Sequence, residues 1–146
     1  MDMFRYMATK SGLDIWYLFP AGLGVQRQIG KFGDIHDDHG KSLDRLFGDE
    51  DWRNELVAEV SQSDLFGETI TSKLKQSDPE KITKLMINRL KVVFEGRVVD
   101  DWLPLGPGNH HWYSLLFMWS NPMVKATLAG KLASAVLART KRSRRR

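Results

Sequence analysis

Leu13-Asp14-Ile15-Trp16-Tyr17-Leu18-Phe19-Pro20-Ala21-Gly22-Leu23-Gly24-Val25-Gln26-Arg27 is the stretch that decides the fold. It reads as a buried strand that stops at a proline and opens into a turn carrying two glycines. Pro20 has no amide hydrogen to give to a ladder. An apolar run bounded in this way, with helix-like sequence on both sides, is the pattern of a strand in a parallel α/β sheet. It arrives early, with no strand before it to pair with. Two readings stay open: a small α+β protein, or the back part of a larger one.

Working outward, residues 2–10 form a short helix with Met3, Phe4 and Met7 on one face. Val25–Gly30 makes a helical turn or two, and residues 30–38 read as a loop. His39–Phe47 is a helix closed by Gly48. Glu50–Val60 is a second, with Trp52, Leu56 and Val60 at helical spacing and Asp51 as its first-turn acid. Ser61–Gly67 is a connector. Ser77-Asp78-Pro79-Glu80 carries helix-start signals: Ser77 as cap, Pro79 in the first turn, and Glu80 three residues beyond the cap. Ile82, Leu85, Met86, Leu90 and Val93 continue the helical stripe. Gly106-Pro107-Gly108 marks the clearest loop. Trp112–Trp119 is a second strand, apolar enough to be buried on both faces. Asn121-Pro122 opens the last helix, with Met123, Leu128, Leu132, Val136 and Leu137 on or near its inner face. The expected core includes Trp52, Leu90, Phe117 and Leu132.

The chain has 146 residues and an apolar fraction of 42%, enough for a core. It has no cysteine, which excludes disulfides, thiolate metal sites and cysteine nucleophiles. There is no apolar run of membrane-spanning length, and no signal-peptide pattern follows Met1. The expectation is therefore a cytoplasmic home and no membrane partner. The net charge of +4 hides a division: residues 139–146 hold six of the 22 basic residues and no acid, so residues 1–138 carry −2. The basicity is a tail, expected to be disordered. Such a tail attracts nucleic acid without reading sequence, or simply keeps a terminus solvated.

Four constellations could carry chemistry. Gly22-x-Gly24 follows a strand, where a phosphate-binding loop would lie, with Arg27 as the anion contact. The third glycine of a dinucleotide fingerprint is missing, so a tight turn is the plainer reading. His36-Asp37-Asp38-His39 spaces two histidines for a metal only if it is helical, and otherwise is a solvated acidic loop. His110-His111-Trp112-Tyr113 could stack on bases or a ring, or start a strand. The last helix and tail offer Lys125, Lys131, Arg139, Lys141, Arg142, Arg144, Arg145 and Arg146 to nucleic acid. No catalytic residue, metal site or cofactor is identified.

Asp14-Ile15-Trp16-Tyr17-Leu18-Phe19-Pro20 with Gly22 and Arg27 resembles a block of the three-Cys-motif partner (TcmP) family. Leu43-Asp44-Arg45-Leu46-Phe47-Gly48 with Trp52, Asp64-Leu65-Phe66-Gly67, Arg89-Leu90 through Phe94, and Tyr113–Phe117 with Ser120-Asn121-Pro122 resemble later blocks in the same order. In that family a front half resembling an S-adenosylmethionine-dependent methyltransferase precedes these blocks. The resemblance implies that this chain is a truncated member lacking those motifs, not catalytic alone. It implies an α+β fold, mostly helical. Residues 1–48 would be the remnant of a Rossmann-like α/β sheet, residues 49–138 a helical and winged-helix-like domain, and residues 139–146 the basic tail. The implied partner is a three-cysteine, radical-enzyme-like protein. Nucleic acid through the tail and self-association through an unpaired first strand are further expectations. The alternative reading is a stand-alone nucleic-acid-binding module.

Overall fold

The computed structural model describes residues 1–30, 33–63, 69–75 and 78–143. The fold is α+β. In chain order it has α1 (Asp2–Ala8), β1 (Asp14–Phe19), a π-turn (Ala21–Val25) running into α2 (Gln26–Gln28), α3 (Asp37–Phe47), α4 (Trp52–Leu56), β2 (Val57–Ser63), β3 (Thr69–Lys75), α5 (Pro79–Val93), β4 (Leu103–Leu105), β5 (Tyr113–Trp119), a 3₁₀ turn (Val124–Ala126) and α6 (Thr127–Ser143). No helix among the described residues is long and apolar enough to cross a membrane.

β1 is a strand, as expected, but not a parallel one. It pairs antiparallel with β5 from Asp14 opposite Trp119 to Phe19 opposite Ser114. With β4 it makes a three-stranded sheet in the order β1-β5-β4. Alternation along β1 explains the orientation. Ile15, Tyr17 and Phe19 turn to a core, while Asp14, Trp16 and Leu18 stay exposed, as an antiparallel strand with one wetted face allows. Residues 1–48 supply β1 and residues 49–138 supply β4 and β5 of this sheet, and both stretches contribute side chains to the core packed against it.

That core lies between one sheet face and α5. Phe19, Ile29, Leu43, Phe47, Trp52, Leu56, Met86, Leu90, Leu116 and Met118 are buried in it. α5 starts on Asp78, whose carboxylate accepts from the Lys81 amide at 2.7 Å, with Pro79 next. Ser77 lies outside the described residues. α3 ends at Gly48, whose φ of +95° is open to glycine at little cost. Asp44 on α3 accepts from Trp52 Nε1 at 2.8 Å and from both terminal nitrogens of Arg53 at 2.6 and 3.1 Å. The Arg53 guanidinium first, and the indole after it, hold the Asp44 carboxyl below its usual range. Arg89 on α5 grips Asp49 through two bonds of 2.7 and 2.9 Å.

The second expected helix, Glu50–Val60, is corrected. It stops at Leu56, and the chain continues as β2, paired antiparallel with β3. Val57, Val60, Thr69, Ile70 and Thr71 are β-branched, and this outweighs the helical spacing of Trp52, Leu56 and Val60. Asp51 precedes α4 but makes no side-chain cap. Asp64–Gly67 lies outside the described residues.

The phase of the last helix is corrected at every expected inner residue but Leu137, which is buried. α6 covers the other sheet face with Ala133 and Leu137, which pack with Val99, Leu103, Phe117 and Trp119. Gly130 faces the Trp119 ring so closely that a Cβ would come within 2.6 Å of it. Leu132, expected in the core, is 60% exposed, and Met123, Leu128 and Val136 are exposed with it. A small-residue seam lets the helix approach the bulky Trp119 and Phe117, and this turns the larger apolar residues outward. Nor is the tail disordered from Arg139, because α6 continues to Ser143.

Candidate functional site

Three features far apart in the chain meet at one corner. They are the turn after β1, the start of α5, and the loop 106–111 that joins β4 to β5. The loop is tight. His110 N–H donates to Pro107 O at 3.1 Å, and Trp112 N–H to Leu105 O at 2.9 Å. Gly22 and Leu23 then donate their N–H groups to Trp112 O at 3.0 and 3.1 Å. A Cβ on Gly22 would lie 2.0 Å from His111 O. Glycine is there so that two backbones can touch.

This corrects the reading of Gly22 and Gly24 as a phosphate cradle. Their amides are already committed, Gly22 to Trp112 O and Gly24 to Pro20 O at 2.9 Å. Arg27 remains available as an exposed cation on α2. It lines a cavity of about 370 Å³ with Gly22, Gln26, Pro79, Asn109, His110, His111 and Trp112. A second cavity of about 220 Å³ lies on the other side of the same loop. Leu103, Pro104, Gly108, Asn109, His110, His111 and Lys141 line it. Lys141 reaches it from the last turn of α6, with its ammonium 4.8 Å from the Trp102 ring centre.

Beneath the loop runs a chain of hydroxyls. His111 Nε2 lies 2.7 Å from Ser114 Oγ, which lies 2.6 Å from Thr83 Oγ1. Thr83 Oγ1 donates to Pro79 O at 2.6 Å. That last bond sets the direction of the others. Ser114 must donate to Thr83, and His111 must donate from Nε2 to Ser114. The serine proton therefore points away from the histidine, opposite to a serine nucleophile activated by a histidine base. Ser114 is also fully buried. The relay ties β5 to α5 and does not build a nucleophile. Burial holds the His111 pKa below the usual value, partly offset by Glu80 and Asp78 and helped by Lys141.

The other expected residues fall elsewhere. His36 is the N-cap of α3, with Nδ1 accepting from the Asp38 amide at 3.4 Å, and Asp37, Asp38 and His39 form the first turn. The His36 and His39 ring centres are 5.8 Å apart. No group of three or more potential metal ligands occurs among the described residues. Lys125 lies in the 3₁₀ turn and Lys131 and Arg139 on the exposed side of α6. Arg142 lies in the last turn of α6, and Arg144, Arg145 and Arg146 lie outside the described residues. Thr83, Ser114 and Trp102 went unread in the sequence, because nothing local marks a hydroxyl pair 31 residues apart or an indole that seats a lysine.

Comparison with known proteins adds no relative. No family model, no curated protein and no solved structure matches the chain.

Proposed function

We propose that this chain is a TcmP-like binding module with no catalytic centre of its own, and that it holds a polyanion such as nucleic acid at the C-terminal end of α6. One observation carries the reading: Lys141 on α6 and Arg27 on α2 stand at cavities on the two sides of the His110–His111 loop. The basic end of the helix is thereby joined to two further exposed groups, Arg27 and His110. From Met123 to Ser143 there is no acidic residue. The succession of α5, the β4–β5 hairpin and α6 supports a winged-helix-like arrangement, in which Lys125 and Lys131 are additional contacts. The order of the TcmP-like blocks supports the family reading. Asp44, Trp52, Arg89 and Ser120 from those blocks serve here as structural clamps, Ser120 Oγ accepting from Leu13 N–H at 3.0 Å.

The test is a comparison of duplexes of several sequences by fluorescence anisotropy. The variant replaces Arg139, Lys141 and Arg142 together by Gln. These substitutions are better than removing residues 139–146, which would uncover Trp102. Uniform binding by the wild type and a loss of tenfold or more in the variant are expected. Unchanged affinity in the variant would overturn the reading.

A further inference from the structure

β1 lies at the edge of its sheet, and its backbone shows what would cover it. Ser120 N–H donates to Leu13 O at 2.9 Å, so residue 13 turns its peptide groups toward β5. Alternation sends those of Ile15, Tyr17 and Phe19 the same way, and those of Asp14, Trp16 and Leu18 to the outer edge. The far side of β5 agrees: Val99 N–H donates to Phe117 O and Trp119 N–H to Arg97 O, both at 3.0 Å. Trp16 and Leu18 are 47% and 50% exposed. Asp14, at the end of β1, is the one charge in Asp14–Phe19. The strand has no proline, no lysine, and no break in register.

α6 lies on the Trp16 side of the sheet. Ser134 bonds Asp101, and Lys141 seats on Trp102, which pins one flank of α6 toward β4. Leu132 and Val136 lie on the side opposite that flank, toward β1, while Leu128 sits on the outer face half a turn from Leu137, and all three are exposed. Trp16, Leu18, Leu132 and Val136 together offer on the order of 400 Å² of apolar surface, within the range of a monomer's largest patch. The backbone edge adds to it, toward the roughly 800 Å² per partner of a standard interface.

We propose that a second copy of this chain covers the edge, its β1 pairing antiparallel with β1 across a two-fold axis. An open strand edge is satisfied by a strand, and the same patch on both partners makes a closed, isologous contact. Opposed residues must share a face, so the axis falls on Trp16 or Tyr17. Centring on Tyr17 sets Asp14 opposite Pro20, which has no N–H and lies beyond the strand with a non-extended backbone, and leaves about four hydrogen bonds within β1. Centring on Trp16 pairs Asp14 with Leu18 and forms about six hydrogen bonds. The axis therefore passes at Trp16, and the sheet becomes a continuous one whose two α6 flanks wall a shared apolar trough.

The lack of cysteine makes a clean test. Trp16→Cys would place two Cα atoms about 5.5 Å apart, within disulfide reach. Sedimentation velocity should show a dimer at tens of micromolar. Trp16→Cys should cross-link under mild oxidation at least tenfold faster than Val124→Cys. Leu18→Lys should weaken the dimer at least tenfold, and Val92→Lys, on α5 at the other face of the sheet, should leave it intact. Leu18 and Val92 are exposed, so both variants should keep the wild-type far-UV spectrum; if Leu18→Lys does not, the cross-link decides. A wild type monomeric throughout the range, a Trp16→Cys variant that does not cross-link, or a dimer lost in Val92→Lys alone would overturn the proposal.

Discussion

Replacing Gly22 by Ala strikes the contact that assembles the corner. The new methyl would sit 2.0 Å from His111 O and 3.1 Å from its carbonyl carbon. Both are backbone atoms, so no rotamer change relieves the clash. Gly22 is not among the positive-φ residues, so Ala is conformationally acceptable there and even gains about 0.4–1 kcal/mol through the unfolded chain. Against that stand overpacking, at about 1–3 kcal/mol, and the weakening of the two bonds to Trp112 O, at about 1 kcal/mol each. The net expected loss is about 2–4 kcal/mol, a large share of the ~5–15 kcal/mol typical of a domain. Urea unfolding followed by tryptophan fluorescence and circular dichroism measures it. Gly24→Ala is the control, because its Cβ would meet only the Pro20 ring, at 3.0 and 3.1 Å. A Gly22→Ala midpoint equal to that of wild type or of Gly24→Ala would refute the argument.

Further outcomes follow from the same geometry. Leu137→Ala should cost about 2–4 kcal/mol and Leu132→Ala under about 0.5 kcal/mol, since only the first is buried; equal values in chemical denaturation would put the phase of α6 in error. His111 titrates below its unfolded value, so its contribution is full above about pH 6.5 and is lost as pH falls through the lower folded pKa; His111→Gln should flatten that part of the stability–pH curve, and an unchanged slope would contradict it. Isothermal titration with S-adenosylmethionine should show no micromolar binding, because the Gly22 and Gly24 amides are already bonded; micromolar affinity would refute this.

The two sheet strands, the start of α5 and the end of α3 were readable because their signals are local: an apolar run, Asp78-Pro79, Gly48. The direction of β1 was not, since its partner lies about a hundred residues away and nothing in an apolar run states orientation. The phase of α6 was misread because sequence rules put the largest apolar residues inward, whereas Trp119 demanded a glycine opposite it. The helix end after Leu56 was misread because Val60 continues a helical spacing by coincidence in a segment of β-branched and hydroxyl residues. At the corner, Arg27, the His110–His111 pair and Lys141 are legible only as parts of three separate motifs. Their meeting was not legible, because it depends on two backbones touching at Gly22.

The polyanion reading is tested most directly by the salt dependence of duplex DNA binding. Six basic residues in 139–146, each neutralising a phosphate, predict a log-affinity slope of about −5 per log unit of salt. The slope should be the same for every duplex and should fall in magnitude by about three when Arg139, Lys141 and Arg142 become Gln. A slope near zero, or one that these three substitutions leave unchanged, would contradict the account.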